Sequence, residues 1–318
     1  MLNKRPIPVF FAVDDGYAPC LAVAIRSLIA NATPTHRYAI HVLVDALSDE
    51  HRRKLRAMAT DRVSITFTDV QEKLMALHGR LHLRDYYTSA TYYRFFIPDL
   101  FPQYDRGIYL DCDVAVLRDL RELYEQPLKH NLLAAVPDEV VLNIPVFNRY
   151  AEKVLGVPPQ AYFNAGVLVM NLKQMRRAHI DKALSTLMEQ YAFPVAQDQD
   201  YLNVLCHGRT QLLDIRWNKT AFPGDDRLVS PFIAHYKLSY KPWHYEGVAY
   251  ETAFWHYAAE TAYRERLEQT RRNYTDTQKT VDKQQYDGLV ALAEAEINKA
   301  VRMGGKRPVP YALGRRSA

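Results

Sequence analysis

Gly107-Ile108-Tyr109-Leu110-Asp111-Cys112-Asp113-Val114-Ala115-Val116-Leu117 places an apolar run, two acids and a second apolar run in immediate succession. The first four residues read as a short buried strand, with the acids just past its carboxyl end. In extended backbone, residues i and i+2 face the same side, so the carboxylates of Asp111 and Asp113 can approach one point. Strand carboxyl ends are where open α/β sheets bind ligands, and two hard oxygen donors there suit Mg²⁺ or Mn²⁺. An Asp-x-Asp is a short pattern that a solvated turn also satisfies, and Asp198-Gln199-Asp200 repeats it. The first match is set apart by apolar sequence on both sides.

Working outward, strand-like segments (9–13, 39–44, 63–67) alternate with helix-like ones (19–30, 49–59) before the acidic stretch. Residues 134–136 and 165–170 continue the strand pattern, and 172–190 has helical spacing. Such alternation predicts an α/β protein with a largely parallel sheet. Residues 88–100 suggest an aromatic-rich helix that Pro98 and Pro102 break. Past Tyr250 the composition changes: 253–273 and 284–301 read as amphipathic helices joined by polar residues 274–283. The expected domains are therefore an α/β body, 1–248, and a helical C-terminal region, 249–318.

The chain has 41 Lys and Arg against 36 Asp and Glu, a net charge of +5. Arg302, Lys306, Arg307, Arg315 and Arg316, with no acid between them, account for all of it. A neutral body argues against a nucleic-acid binder; a cationic tail would suit an anionic membrane surface or stay solvated. The apolar runs are of strand length, too short to span a bilayer, and the start of the chain leaves no room for a signal peptide. Three cysteines, Cys20, Cys112 and Cys206, without zinc spacing suit a reducing compartment, so a cytoplasmic location is expected. No G-x-G-x-x-G, P-loop, G-x-S-x-G or H-E-x-x-H occurs, which withdraws sequence support from Rossmann cofactors, NTPases, α/β-hydrolases and zincins.

Three further clusters accompany the acidic pair. Asp14-Asp15-Gly16-Tyr17 follows the first strand, where an acid could bind a ribose or uracil and Tyr17 could stack, or simply form a turn. Phe163-Asn164-Ala165-Gly166-Val167 sets small residues at a strand entry, permitting close approach to a ligand. His235-Tyr236-Lys237-Leu238-Ser239-Tyr240-Lys241-Pro242-Trp243-His244 packs an imidazole, two cations and several aromatics together.

In order, Ala12-Val13-Asp14-Asp15, Thr91-Tyr92-Tyr93-Arg94, Tyr109-Leu110-Asp111-Cys112-Asp113, Tyr162-Phe163-Asn164-Ala165-Gly166-Val167, Gln197-Asp198-Gln199-Asp200 and His235-Tyr236 through Lys241-Pro242-Trp243 resemble glycosyltransferase family 8. Its bacterial lipopolysaccharide galactosyltransferases and glucosyltransferases look nearest. The resemblance covers about residues 7–245. It implies a GT-A fold (a Rossmann-like mixed sheet flanked by helices), a UDP-hexose donor, Mn²⁺ with Mg²⁺ as a substitute, and transfer with retention to a glycan or glycolipid acceptor.

By position, the resemblance implies that Asp111, Asp113 and His235 ligate the metal and that Lys241 binds the diphosphate. Ala12, Asp14 and Tyr17 fall around uracil and ribose, with Asp15 and Cys112 inside the same donor-binding motifs. Arg94, Asn164, Ala165, Asp198 and Gln199 fall around the sugar, and Asp138 near sugar and acceptor. Gln199, Asp198 and Asp138 are thus the catalytic candidates. The resemblance puts Gln199 at the family's debated nucleophile position, but an amide is a poor nucleophile, which favours front-face substitution. Two residues depart from the family pattern: Gly16 replaces a frequent asparagine, and Leu238 stands where the HxxGxxKPW motif has glycine. The alternatives are a haloacid-dehalogenase-type phosphatase, with Gly224-Asp225-Asp226 as its later acidic motif, and a non-catalytic module binding sugar nucleotide or glycan.

Overall fold

The computed structural model describes residues 5–75, 89–222 and 229–302. Thr88, Gly224-Asp225-Asp226 and the tail beyond Arg302 lie outside them.

Strand β1 (Ile7–Ala12) is buried at every position. Val9 and Phe11 join one hydrophobic cluster, while Phe10 and Ala12 join a second on the opposite side. The two-residue period of a strand thus feeds two cores, one on each face of the sheet. Around β1 the order is β3-β2-β1-β4-β7-β6-β8, with β2 Tyr38–Val44, β3 Val63–Asp69, β4 Gly107–Leu110, β6 Leu133–Pro137, β7 Phe163–Met170 and β8 Thr210–Leu212. Pairs β1/β2, β2/β3, β1/β4 and β6/β8 are parallel; β7 runs antiparallel to both β4 and β6.

That reversal matters for the site. Leu110 pairs with Val167, and the Asp111 N–H donates to the Gly166 carbonyl at 2.8 Å. The amino end of β7 therefore lies beside the carboxyl ends of β1, β4 and β6. A second, smaller sheet, β5-β10-β9, is built from β5 Val114–Val116, β9 Lys219–Thr220 and β10 Ile233–His235. His235 pairs with Val114, and the Tyr236 N–H donates to the Asp113 carbonyl at 2.9 Å. Backbone pairing alone thus brings the imidazole to the acids from far along the chain.

Several helical expectations change in detail. Residues 89–96 form a 3₁₀ helix, and Pro98 sits in the first turn of the next helix, Ile97–Leu100, where its missing N–H costs nothing. The stretch 172–190 divides into Leu172–Arg177 and Ile180–Gln190 around His179, whose φ is 49°. Likewise 253–273 divides into Glu251–Ala258 and Arg264–Arg272. The last helix, Asp276–Arg302, takes in most of the polar stretch expected to be a joint. Phe254, Tyr257, Tyr263 and Leu267 from this region enter the first core, and Ala293 and Ile297 enter the second. The three cysteines are buried free thiols. Among the described residues, no helix is long and apolar enough to cross a membrane.

Candidate active site

A cleft with about 1220 Å³ of empty space, open mouth included, lies over the strand ends. Its polar part holds the acids. Asp113 Oδ1 is 3.2 Å from His235 Nε2, and Asp111 Oδ2 is 3.8 Å from the same nitrogen. One ligand atom from each of the three residues falls within 4.8 Å of the others. Asp111 Oδ1 accepts from Arg94 Nη2 at 3.0 Å and from the Tyr109 hydroxyl at 2.9 Å, leaving Oδ2 toward the imidazole. Lys241 Nζ donates to Asp113 Oδ2 at 2.5 Å. Burial alone would raise the Asp113 carboxyl, but the charges of Lys241 and His235 hold it well below the usual carboxylate range.

Gly166 makes this convergence possible. A Cβ at that position would overlap His235 Cε1 and stand 2.6 Å from Asp111 Oδ2. The donor set of two carboxylates and one imidazole around a space kept clear by glycine fits a hard divalent cation such as Mn²⁺ or Mg²⁺.

Beside it, Arg94 is 3% exposed and joins several groups. It donates to the carbonyls of Thr91 and Ala165, ion-pairs Asp111, and covers the Tyr109 ring at 4.4 Å. Its Nε is also 3.2 Å from Asp198 Oδ2, yet no donor is aligned on that buried oxygen. Burial pushes the Asp198 carboxyl up to about 7 against the pull of Arg94, with the charge of Asp111 adding to the rise. Just before it, Gln197 adopts φ 50° and ψ −117°, outside the relaxed left-handed well, at the head of helix Asp198–Cys206.

The two Asp-x-Asp matches separate cleanly. On a helix, residues i and i+2 do not face each other. Asp200 accordingly turns away from Asp198 and accepts from Tyr162 and Tyr150 hydroxyls at 2.6 and 2.9 Å and from the Ala196 N–H. Gln199 is held from four directions. Its Oε1 accepts from Ala165 N and Asn164 Nδ2, and its Nε2 donates to the Tyr162 hydroxyl and Asp138 Oδ2. Asp138 caps helix Glu139–Asn143 through Oδ1, which also receives Lys237 Nζ at 3.0 Å. Against its burial, Lys237, Asn164 and the cap keep the Asp138 carboxyl low, so it is an ionised acceptor with its lone pairs occupied.

The cleft is lined by Ala12, Asp14, Tyr17, Arg94, Asp111, Cys112, Asp113, Asp138, Asn164, Ala165, Asp198, Gln199, His235 and Lys241, nearly the whole set singled out from sequence. Cys112 is buried, its thiol donating to the Ala12 carbonyl at 3.1 Å. Asp15 is not among the lining residues: it is exposed and accepts from the Ser48 N–H at 2.7 Å. Sequence reasoning gave no part to Lys237, Tyr162, Asn218 or Leu289. Lys237 stood inside the His235 motif and could have been counted; Leu289 lies in the last helix and carried no signal.

A model of glycosyl transferase family 8 matches residues 8–247. The chain belongs to this family. A putative glycosyltransferase of Haemophilus influenzae is 29% identical over 253 residues, 76% of this chain and 74% of the relative. The lipopolysaccharide 1,3-galactosyltransferase of Salmonella typhimurium is 27% identical over 255 residues, 75% of this chain and 73% of the relative. Galactosyltransferase LgtC, solved in complex with donor and acceptor sugar analogues, shares a TM-score of 0.70 and 30% identity over 81% of this chain and 99% of LgtC. The apo bifunctional glycosyltransferase WbbM gives 0.75 and 29% over 86% of this chain, which spans 53% of WbbM. The protein is thus a family 8 glycosyltransferase with a GT-A-like mixed sheet.

Proposed function

We propose that this glycosyltransferase moves galactose or glucose from a UDP-sugar to a hydroxyl of a glycan or glycolipid, retaining anomeric configuration. The observation that carries the reading is the convergence of Asp111, Asp113 and His235 beside Lys241 at the sheet's carboxyl edge. The similarity to a lipopolysaccharide galactosyltransferase supports the donor and the class of acceptor.

In this reading Asp111, Asp113 and His235 hold Mn²⁺, for which Mg²⁺ could substitute. When bound, the ion supplies Lewis-acid neutralisation of charge on the departing diphosphate. Lys241 Nζ, already in the cleft, donates to the same diphosphate oxygens. Ala12, Asp14 and Tyr17 receive the nucleoside; Asp14 binds the Tyr17 N–H at 3.0 Å, holding that loop in shape. Arg94, Asn164 and Ala165 surround the hexose, and Asp198 Oδ2, on which no hydrogen-bond donor is aligned, accepts from a sugar hydroxyl. Gln199 and Asp138 orient this wall and place negative potential beside the oxocarbenium-like carbon. With the Gln199 amide fully hydrogen-bonded, the acceptor hydroxyl enters on the face UDP leaves, and a phosphate oxygen of UDP takes its proton. The acceptor approaches along the apolar lining of the cleft, to which Val140, Val141, Phe147 and Leu289 contribute.

The 249–318 region is proposed as a helical C-terminal unit packed against the catalytic body, and its basic tail as a reversible anchor to an anionic cytoplasmic membrane face. Of the five tail cations, Arg302 is exposed at the end of the last helix and the others lie outside the described residues.

A panel of UDP-sugars, each assayed for UDP release with Mn²⁺ and candidate acceptors, tests the reading. Acceptor-stimulated release from UDP-galactose or UDP-glucose, abolished in Asp111→Asn, is expected. Phosphate release from phosphoesters would instead favour a phosphatase, and binding without turnover a non-catalytic module.

A further inference from the structure

The imidazole of His235 ends a chain of buried hydrogen bonds that has only one possible polarity. At its far end the Gly166 N–H, which can only donate, faces Asn164 Oδ1 at 2.9 Å. Asn164 Nδ2 is fixed independently, because it faces the Asp138 Oδ2 carboxylate oxygen at 2.9 Å. Asn164 Oδ1 must therefore accept from its other neighbour as well, and that neighbour is Asn218 Nδ2 at 2.8 Å. The Asn218 amide is thereby oriented, and its Oδ1 lies 2.8 Å from His235 Nδ1. A carbonyl oxygen only accepts, so Nδ1 carries the proton. The remaining nitrogen, Nε2, is the atom that faces Asp111 and Asp113. Asn164, Asn218 and His235 are 7%, 3% and 2% exposed, so water does not compete for these bonds.

Resting on the reading of Asp111, Asp113 and His235 as a cation site, we propose that Asn218 is a positioning residue for that site. It fixes the ring plane of His235 and keeps a proton on Nδ1, so that Nε2 is the nitrogen free to give its lone pair to a cation held between the two carboxylates. Asn164 sets the direction of the whole chain, which gives it a part separate from any sugar contact. Asn218 gains this position as the last residue of the 3₁₀ turn Ile215–Asn218, directly before β9 pairs with β10. Partners of this kind on a histidine ligand orient the ring and raise its basicity, and losing one costs about 10–100-fold in metal affinity.

The test is Mn²⁺ affinity measured by calorimetry and by free-Mn²⁺ electron paramagnetic resonance, without donor or acceptor, alongside ¹⁵N histidine spectra of the protein without metal and with diamagnetic Mg²⁺. In wild type, His235 Nδ1 should keep its proton-bearing shift with the site empty and with Mg²⁺ bound, and Nε2 should take the shift of a ligating nitrogen only when the ion is present. Asn218→Leu should weaken Mn²⁺ about 10–100-fold and lose that pattern. Asn218→Asp, still able to accept from Nδ1 but without the donor to Asn164 Oδ1, should keep the proton on Nδ1 and lose less Mn²⁺ affinity than Asn218→Leu. Asn218→Leu with unchanged affinity and tautomer, or a wild-type Nδ1 bearing the lone pair, overturns the proposal. Should the leucine variant not fold, the wild-type spectrum still decides. Asp111→Asn separates the two claims: if it leaves Mn²⁺ affinity unchanged, the cation site itself is wrong, whereas a loss there with none in Asn218→Leu refutes only the role of Asn218.

Discussion

Two parts of the cleft lining, one acidic and one apolar, are built on different plans. In the acidic part, charged side chains, all but Asp111 largely withdrawn from water, answer one another: Arg94 with Asp111, Lys241 with Asp113, Lys237 with Asp138. They come from the 3₁₀ helix that carries Arg94 and from segments following β4, β6 and β10, all inside residues 8–247, the part that matches the family. In the apolar part, Val140, Val141 and Phe147 come from short helices, and Leu289 comes from a helix wholly beyond residue 247. The difference teaches how one scaffold can keep its chemistry while varying its partner. Buried ion pairs fail badly when one member is lost, because the other is left unpaired in low dielectric. Apolar walls tolerate exchange of one hydrophobic side chain for another at small cost.

The sharpest way to break the acidic part is to fill its centre. Gly166→Ala should push His235 off Asp111, lowering Mn²⁺ affinity and turnover by at least about 100-fold while the fold survives, as circular dichroism and activity assays would show. Next comes the pH profile. If Asp198 must be ionised to accept from the sugar, kcat/KM for the donor should climb about tenfold per pH unit up to an apparent pKa at or just below 7. It falls below rather than above because a cation at Asp111 removes part of the repulsion that raises Asp198. Asp198→Asn should flatten that limb, and an unchanged profile would remove Asp198 from the donor's contacts.

The apolar part should respond differently. Leu289→Ala is expected to raise the KM for acceptor about three- to tenfold while leaving Mn²⁺-dependent hydrolysis of the UDP-sugar unchanged. An equal effect on both would dissolve the distinction between the two parts. The smallest effect belongs to Leu238, on the cleft's rim, which adopts a left-handed φ of 61°. That conformation costs a side chain about 1–2 kcal/mol, partly offset by the greater unfolded-state freedom of glycine, so Leu238→Gly should raise the melting temperature by about a degree or two. The strained leucine also explains why the motif it departs from has glycine there.

The same contrast governs how much the sequence disclosed. The central strands were legible because buried sheet reads as unbroken apolar runs, as in β1 and β7. The acids, His235 and Lys241 were legible because they sit in short local motifs. The small sheet was not: β5, β9 and β10 have three, two and three residues, too few for any period to show. Asn218 was illegible for a related reason, since its importance arises only when β9 pairs with β10 and an isolated asparagine carries no signal. Helix joints were misjudged where one residue turned left-handed, as at His179, or where polar sequence continued a helix, as after Asp276. Asp15 resembled Asp14 in sequence but lies one residue further round the turn, outside the cleft.

The central claim is that Asp111, Asp113 and His235 hold a divalent ion through which UDP is bound. Calorimetric titration of UDP into the full chain, with and without Mn²⁺, tests it most directly. The account predicts strong binding to wild type only when Mn²⁺ is present, and the same weak binding with or without the ion in Asp113→Asn. UDP affinity that is equal in both conditions for wild type would contradict it.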